Sequence, residues 1–392
     1  MKICKKLLIL SLLLGSFPSS AIQYAVIIDA GSTGSRALVY RYRKIKNQVL
    51  PKIELMASAE KGEMVSWHMK IEPGISSFSH NLPGLQDNLK PLLQYIKTKL
   101  GNDPKLIKKT LILMQATGGV RSLDLLDQKK LMQDVRLVLS QAGFSNARAE
   151  VIAGPVEGVY QWLTVNYLEG NLEKPRHTKG IIEMGGASMQ VTFSPKKPPK
   201  KHGFPLKVGS HSYFLYSYSY DGFGETSAVA KWQNSHCQAN GGFDKCKESI
   251  AQHLSKKECD FAGECGLDGA YQMPLEGKFW GIDNFHDIGE LTKKPYLSAH
   301  GVEELGLKLC GKTVSHLAKL YPERATRDLE IDCFDLAYFS LILSGHGPEF
   351  KGIGFHKKTE QIVAAGKIGK ITISWTLGSL LHQTLTKPLA VY

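Results

Sequence analysis

Two short glycine turns, each beside an acid and several hydroxyl side chains, are where this sequence could do chemistry. The first is "DAGSTGSR" from Asp29 and the second is "EMGGASMQ" from Glu183. A phosphate chain needs several N–H donors converging at short range, and glycine lets the backbone approach without a Cβ clash. Gly31, Gly34, Gly185 and Gly186 give two such cradles, and Ser32, Thr33, Ser35 and Ser188 add hydroxyl donors. Asp29 and Glu183 end apolar runs beside the cradles, so both carboxylates can face one divalent cation, magnesium or calcium, directly or through its waters. The plainer reading of either acid is a turn carboxylate capping backbone N–H groups. Glu157 stands in the first turn of a helix starting near Pro155, where the helix dipole favours the carboxylate and leaves it able to act as a base. A helix-capping glutamate is the local alternative.

The elements that must position these groups follow from the apolar pattern. "YAVIID" from Tyr24 reads as a buried strand, and the turn after it opens into the alternating strand "RALVYRYR". "KGIIEMGGASMQVTFSP" repeats that device one domain length later, which suggests two related halves. A Walker or Rossmann turn opens into a helix, whereas both turns here open into strands. That distinction favours the phosphate-binding hairpins of the actin, hexokinase and heat-shock ATPase superfamily. "TLILMQA" from Thr110 is a further strand, residues 124–142 are helical, and "PVEGVYQWLTVNYL" places Val159, Trp162, Leu163 and Asn166 on one helix face. Residues 211–220 read as an antiparallel strand, and residues 234–310 give no clear assignment. The expected fold is α/β, two RNase H-like domains facing across a nucleotide-binding cleft. Residues 22–152 form the first domain and 153–365 the second, with a disulfide-stapled insertion; 366–392 return to the first.

Composition sets outer limits. The 392 residues are 43% hydrophobic and 22% charged, which excludes collagen-like, low-complexity and wholly disordered chains. The formal charge of +13 suits an anionic partner. The densest basic run, "KKPPKKHGFP" from Lys196, is broken by prolines and has no interleaved aromatics, so it reads as a solvated loop and nucleic-acid binding is not supported. Lys2, Lys5 and Lys6 precede an apolar run from Leu7 to Leu14, and "FPSSA" ends in a small-residue cleavage site after Ala21. Residues 1–21 read as a signal peptide, and the apolar run is too short to span a bilayer. A secreted protein, extracellular or periplasmic, without a membrane anchor is expected. Beyond Cys4, in the signal segment, Cys237, Cys246, Cys259, Cys265, Cys310 and Cys333 make an even set without CxxC spacing, which reads as disulfides. Cys310 with Cys333 is the natural pair outside the cluster of four, and spacing leaves the connectivity undetermined.

Taken together, the segments resemble the apyrase family, the ecto-nucleoside triphosphate diphosphohydrolases, whose five short regions occur here in order. "DAGSTGSR" matches the first without change and "ATGGVR" from Ala116 is similar to ATAGMR. "EGVYQWLTVNYL" from Glu157 matches the third, "EMGGASMQ" resembles DLGGASTQ, and "SWTLG" from Ser374 matches the fifth. The resemblance implies stepwise hydrolysis of nucleoside tri- and diphosphates to the monophosphate, with magnesium or calcium and no phosphoenzyme. It assigns the catalytic glutamate to Glu157 and the water-holding groups to Ser188 and Gln190. The phosphate loops fall on Ser32, Thr33, Gly34, Ser35 and Arg36 and on Gly185, Gly186, Ala187 and Ser188, with Thr117 and Arg121 nearby. Asp29 and Glu183 hold the metal's waters. Asn284, Tyr338 and Phe339 are candidates for the nucleobase, and Trp162 and Trp375 are packing residues. The soluble, bacterial-type secreted members are the nearest in organisation, and a monomer is expected.

Three features depart from the family. Glu183 replaces an aspartate, adding a methylene at the metal; Gly118 and Val120 replace an alanine and a methionine; and the membrane anchors of the cell-surface members are lacking. Two other readings share the hairpins: an exopolyphosphatase-like phosphatase, which a basic surface suits, and a non-catalytic, actin-like nucleotide-binding protein. The latter has no need of Glu157 on a WxxxN helix.

Overall fold

The computed structural model describes residues 22–60, 63–238, 241–254, 265–275, 277–294, 296–345, 352–354 and 362–385. Residues 1–21, which the sequence reading takes as a signal peptide, therefore lie outside the described residues. The chain runs through β1 (Gln23–Ala30), β2 (Ser35–Arg43), β3 (Lys52–Leu55), the hairpin of β4 (Ala57–Glu60) and β5 (Glu63–Ser66), and β6 (His68–Ile71). It continues through α1 (Leu82–Lys99), α2 (Pro104–Lys109), β7 (Leu111–Ala116), the single turn α3 (Gly118–Arg121), α4 (Leu125–Gln141) and β8 (Ala147–Val151). The second half is α5 (Gly154–Leu168), β9 (Gly180–Met184), β10 (Ser188–Phe193), β11 (Gly203–Val208), β12 (His211–Asp221), α6 (Glu225–Trp232) and α7 (Phe243–Leu254). Then come β13 (Phe279–Asp283), α8 (Asn284–Thr292), α9 (Ala299–Leu309), α10 (Val314–Leu320), α11 (Thr326–Ser344), β14 (Ile362–Ala364) and α12 (Trp375–Leu385).

The two halves share one sheet plan. In the first sheet the order is β3-β2-β1-β7-β8, with β6 also on β2; in the second it is β11-β12-β10-β9-β13-β14. In each, a central strand pairs antiparallel with the strand after its glycine turn and parallel with a later one: β1 with β2 and β7, β9 with β10 and β13. The expectation of two related α/β halves is borne out.

Strand alternation decides what each face meets. Val26 and Ile28 join the core under α1 and α4, whereas Ala25 and Ile27 point into the layer between the sheets. There α5 is buried along nearly its whole length and packs on α12, with Trp375 stacked on Tyr160 at 6.4 Å. A helix apolar on all sides suits a place between two sheets. The far face of the second sheet carries α7, α9 and α11 in a third core.

The unassigned region 234–310 contains α7, β13, α8 and α9. The helical spacing of Phe243, Cys246, Ile250 and Leu254 was present but interrupted by lysines and loops. The basic run is a loop, as expected, up to Gly203, where β11 begins; Pro205 is tolerated because β11 is an edge strand. Cys310 pairs with Cys333 and Cys237 with Cys246. Cys265 is also bridged, and Cys259 lies outside the described residues.

Candidate active site

Continuing the alternation, Asp29 and Glu183 follow Ile27 and Ile181, whose side chains face the layer between the sheets. Both acids therefore emerge on the floor of a cleft of about 840 Å³ between the lobes. A third acid, Asp283 at the end of β13, joins them there. Regular alternation after Ile282 would send it to the opposite face, but its φ of 56° ends the strand geometry and turns the chain into α8. A non-glycine residue in that region is strained by roughly 1–3 kcal/mol, and such strain concentrates at functional sites.

The two glycine turns form opposite walls. None of the amides of residues 31–34 donates to another backbone group, and all four residues line the cleft. In the second turn, the carbonyls of Gly185, Gly186 and Ala187 are taken up by the amides of Glu225, Ser227 and Gly222. The amides of Gly186 and Ala187 remain without a backbone acceptor. The turns also face one another closely: a Cβ placed on Gly186 would lie 2.9 Å from Ser32 Oγ. These are two sets of uncommitted N–H donors aimed at one space, which is an anion cradle.

Glu157 sits in the first turn of α5, almost buried but lining the same cleft. Its Oε2 accepts a hydrogen bond from Arg121 Nη1 at 2.9 Å. Arg121 Nη2 donates to Ser188 Oγ at 3.0 Å and to Asp221 Oδ1 at 3.1 Å. Ser188 Oγ also accepts from Gln190 Nε2 at 2.9 Å. With both lone pairs occupied, the Ser188 hydroxyl has only its O–H left to offer the cleft.

The other sequence-derived candidates divide by position. Ser32, Thr33, Gly34, Arg36, Thr117, Gly185, Gly186, Ala187, Ser188 and Asn284 line the cleft with the acids. Four residues stand back from the cleft lining. Ser35 is fully buried in β2 and is not among the residues that line the cleft. Arg121 turns Nη1 to Glu157 and the Ile152 carbonyl and Nη2 to Ser188 and Asp221, and so holds these groups from behind the cleft lining. Gln190 is likewise one layer back, bonding Ser188 and Ser219. Tyr338 is wholly buried, with its hydroxyl donating to the Phe223 carbonyl and its ring stacked on Phe334, and it offers no face to a base. Phe339 is also buried but lines a second cavity of about 460 Å³, which it shares with Asn284. The sequence reading missed Asp283 and Lys70. Lys70 stands opposite Arg36 in the β2–β6 pairing and adds a second cation to the cleft.

The floor is electrostatically unbalanced. Burial pushes Asp29 up to about 8, and Glu157 and Asp283 add to the shift while Arg36 and Lys70 oppose it. Glu183 is raised well above the usual range by burial and then by Asp283, Glu157 and Asp29. Burial also raises Glu157, against the pull of Arg121. Glu183 Oε2 is buried without a hydrogen-bond donor. An all-oxygen donor set with a surplus of negative charge fits a hard divalent cation. Among the described residues no three His, Cys, Asp or Glu side chains converge to hold a metal directly.

The model of the GDA1/CD39 (nucleoside phosphatase) family matches residues 17–239 and 230–390. The chain belongs to the GDA1/CD39 family. This bears out the resemblance to the apyrases. As a GDA1/CD39 member the chain is 30% identical to probable apyrase 5 of Arabidopsis thaliana, over 94% of this chain and 83% of that protein. It is 35% identical to a nucleoside-triphosphatase of Pisum sativum, over 83% and 80% of the two chains. Among solved structures, nucleoside triphosphate hydrolases from Neospora caninum superpose with a TM-score of 0.55 at 14% identity, covering 93% of each chain. A Ppx/GppA protein of Aquifex aeolicus gives 0.54 at 14% identity, over 93% of this chain and 98% of that one. At these identities the structures speak for the fold. No helix among the described residues is long and apolar enough to cross a membrane.

Proposed function

We propose that this protein hydrolyses nucleoside tri- and diphosphates to the monophosphate by direct attack of water on the terminal phosphorus, with Glu157 as general base. The observation that carries the reading is the meeting of two amide-rich turns, one from each lobe, with an almost buried carboxylate at their mouth. The phosphate tail lies between the turns, bound by the free amides, by the hydroxyls of Ser32, Thr33 and Thr117, and by Arg36 and Lys70. One Glu157 oxygen is committed to Arg121, and the other accepts the proton of the attacking water. The new P–O bond forms as the bond to the leaving phosphate or nucleotide oxygen breaks. Meanwhile the fixed amides and the Ser188 O–H stabilise charge on the equatorial oxygens. Asp29 and Glu183, joined by Asp283, would hold a magnesium or calcium ion through its waters. That ion supplies charge neutralisation on the phosphate oxygens. The relatives named as apyrases and nucleoside-triphosphatase support the substrate class, and the disulfides support export.

The test is a panel of nucleoside tri- and diphosphates with each metal, following every product. Phosphate release ending at the monophosphate, and abolished by chelation, is expected. A preference for long polyphosphate over every nucleotide would replace this reading with a polyphosphatase. Tight binding without turnover would replace it with a nucleotide-binding module.

A further inference from the structure

The second cradle is tied to α6, whose Glu225 and Ser227 amides take the carbonyls of Gly185 and Gly186. Gly224, immediately before α6, comes closer still. A Cβ placed there would fall on the amide nitrogens of Ala187 and Ser188 and lie 2.5 Å from the Ala187 carbonyl carbon. The first cradle has the same kind of neighbour. A Cβ on Gly74, immediately before the 3₁₀ turn Ile75–Phe78, would lie 2.5 Å from the Ser32 carbonyl oxygen and 2.6 Å from that of Gly31. Carbon atoms pack at about 3.5–4.0 Å, so in both places backbone would have to move. The two positions are equivalent in the two halves. β2 begins at Ser35, paired with Ile71, and β10 begins at Ser188, paired with Asp221; Gly74 and Gly224 each stand three residues beyond that partner. Both glycines are buried, neither lines the cleft, and neither lies in the five regions shared with the apyrases.

Nothing in their own conformation calls for glycine. Gly74 has φ −62° and ψ 150°, and Gly224 has φ −69° and ψ 155°, extended values open to any residue. At such a site alanine ordinarily stabilises, because it narrows the unfolded ensemble. What excludes it here is space, and the atoms it would strike are cradle backbone, which cannot swing aside as a side chain does. The turns have little room to retreat. The second is tied through the carbonyls of Gly185, Gly186 and Ala187, and in the first a Cβ on Gly119 would lie only 2.6 Å from Ser32 Cα. We propose that Gly74 and Gly224 are a matched pair of positioning residues for phosphate binding; this rests on the hydrolase reading above. Each lets the chain close against its cradle on the side away from the cleft and so fixes where the free amides aim. A phosphate chain held by several N–H groups feels a shift in any of them, because hydrogen bonds weaken steeply with misalignment.

Equilibrium binding of inorganic tripolyphosphate, with magnesium, to full-length protein carrying Glu157→Gln reads the cradles without turnover. Adding Gly74→Ala or Gly224→Ala should weaken that binding about tenfold or more, the loss of one hydrogen bond to a charged group. Gly241→Ala is the control: its Cβ would also strike backbone, the His236 carbonyl, in the loop before α7 and outside the cleft lining. It should lower Tm and leave tripolyphosphate affinity within about twofold, as a purely structural clash does. Unmoved affinity in both cradle variants, or the same loss in Gly241→Ala, overturns the proposal. Hydrogen exchange on the protein without any of these alanines covers the case of a variant that does not fold. Tripolyphosphate should slow exchange about threefold or more at residues 74–77 and 224–227 as well as in the two turns. Protection confined to the turns overturns the proposal too. A parent protein that binds no tripolyphosphate ends the reading of the cleft and the proposal with it, whereas normal nucleotide hydrolysis with indifferent alanines ends the proposal alone.

Discussion

Arg121 Nη1 lies 2.9 Å from Glu157 Oε2, with the two side chains only 11% and 9% exposed. The same guanidinium bonds Ser188, so a residue of the first lobe's α3 turn holds an acid and a hydroxyl beside the second lobe's cradle. Arg121 thus positions the site without facing the phosphates. Removing it leaves Glu157 buried and unpaired, and Arg121→Ala should destabilise the protein by about 3–5 kcal/mol in denaturant unfolding. Arg121→Lys keeps the charge but cannot serve two acceptors as a planar fork. Its kcat should fall about tenfold or more, with KM moving little. An Arg121→Ala protein as stable as its parent would show that the pair does not hold the site together.

Glu157→Gln tests the base directly. The amide keeps the shape and can still accept a bond from Arg121, but it cannot take the proton of water. Turnover should drop by about 10²–10⁴-fold while nucleotide affinity changes little. Loss of affinity in step with turnover would mean that Glu157 serves binding, and the assignment would fail.

The cradles were legible in the sequence because each is one contiguous stretch whose chemistry depends on backbone amides and not on a partner far along the chain. Glu157 was legible as an acid at a helix start. Asp283 was not: its aim into the cleft depends on a positive φ that nothing in "FWGIDNF" announces, since aspartate is not glycine. Lys70 reaches the cleft through the pairing of β6 with β2, a long-range register that local spacing does not contain. On α11 the second half, from Leu336 to Leu343, is nearly all apolar and wholly buried, so local spacing could not say which residue faces a cavity. Tyr338 was singled out for its ring, which the fold buries wholly, with its hydroxyl on the Phe223 carbonyl.

Gly118 has acquired a physical meaning. A Cβ there would lie 2.9 Å from Ala187 Cβ and 3.2 Å from Ser188 Oγ, across the lobe boundary. Gly118→Ala should therefore ease the lobes apart by a few tenths of an ångström and cost about 1–3 kcal/mol in stability through overpacking. Misplacing the cradle should lower kcat/KM about three- to tenfold, read from initial rates on one nucleotide. Kinetics and unfolding both identical to the parent would mean that the contact is absorbed without moving Ala187.

Glu183→Asp shortens an acid whose Oε2 has no donor of its own. If that oxygen faces the metal's waters, activity should survive while the ratio of calcium- to magnesium-supported rates changes by about twofold or more. The same ratio in both proteins would place the extra methylene outside the metal's reach.

The crowded acids also predict how stability depends on pH in the metal-free protein. Asp29 is held at about 8, far above its ordinary value, first by burial and then by Glu157 and Asp283. Between about pH 4 and that value the folded chain keeps a proton that the unfolded chain has lost. Stability must then fall as pH rises through this window, and the full cost is present above it; Glu183, shifted the same way, adds to the slope. A divalent cation binds the ionised acids and opposes the fall, so the rise in Tm on adding magnesium should be larger at about pH 8 than at about pH 5. Thermal unfolding at the two pH values, with and without magnesium, decides it. A magnesium effect that is absent, or larger at the lower pH, would show that these carboxylates are not where the cation binds.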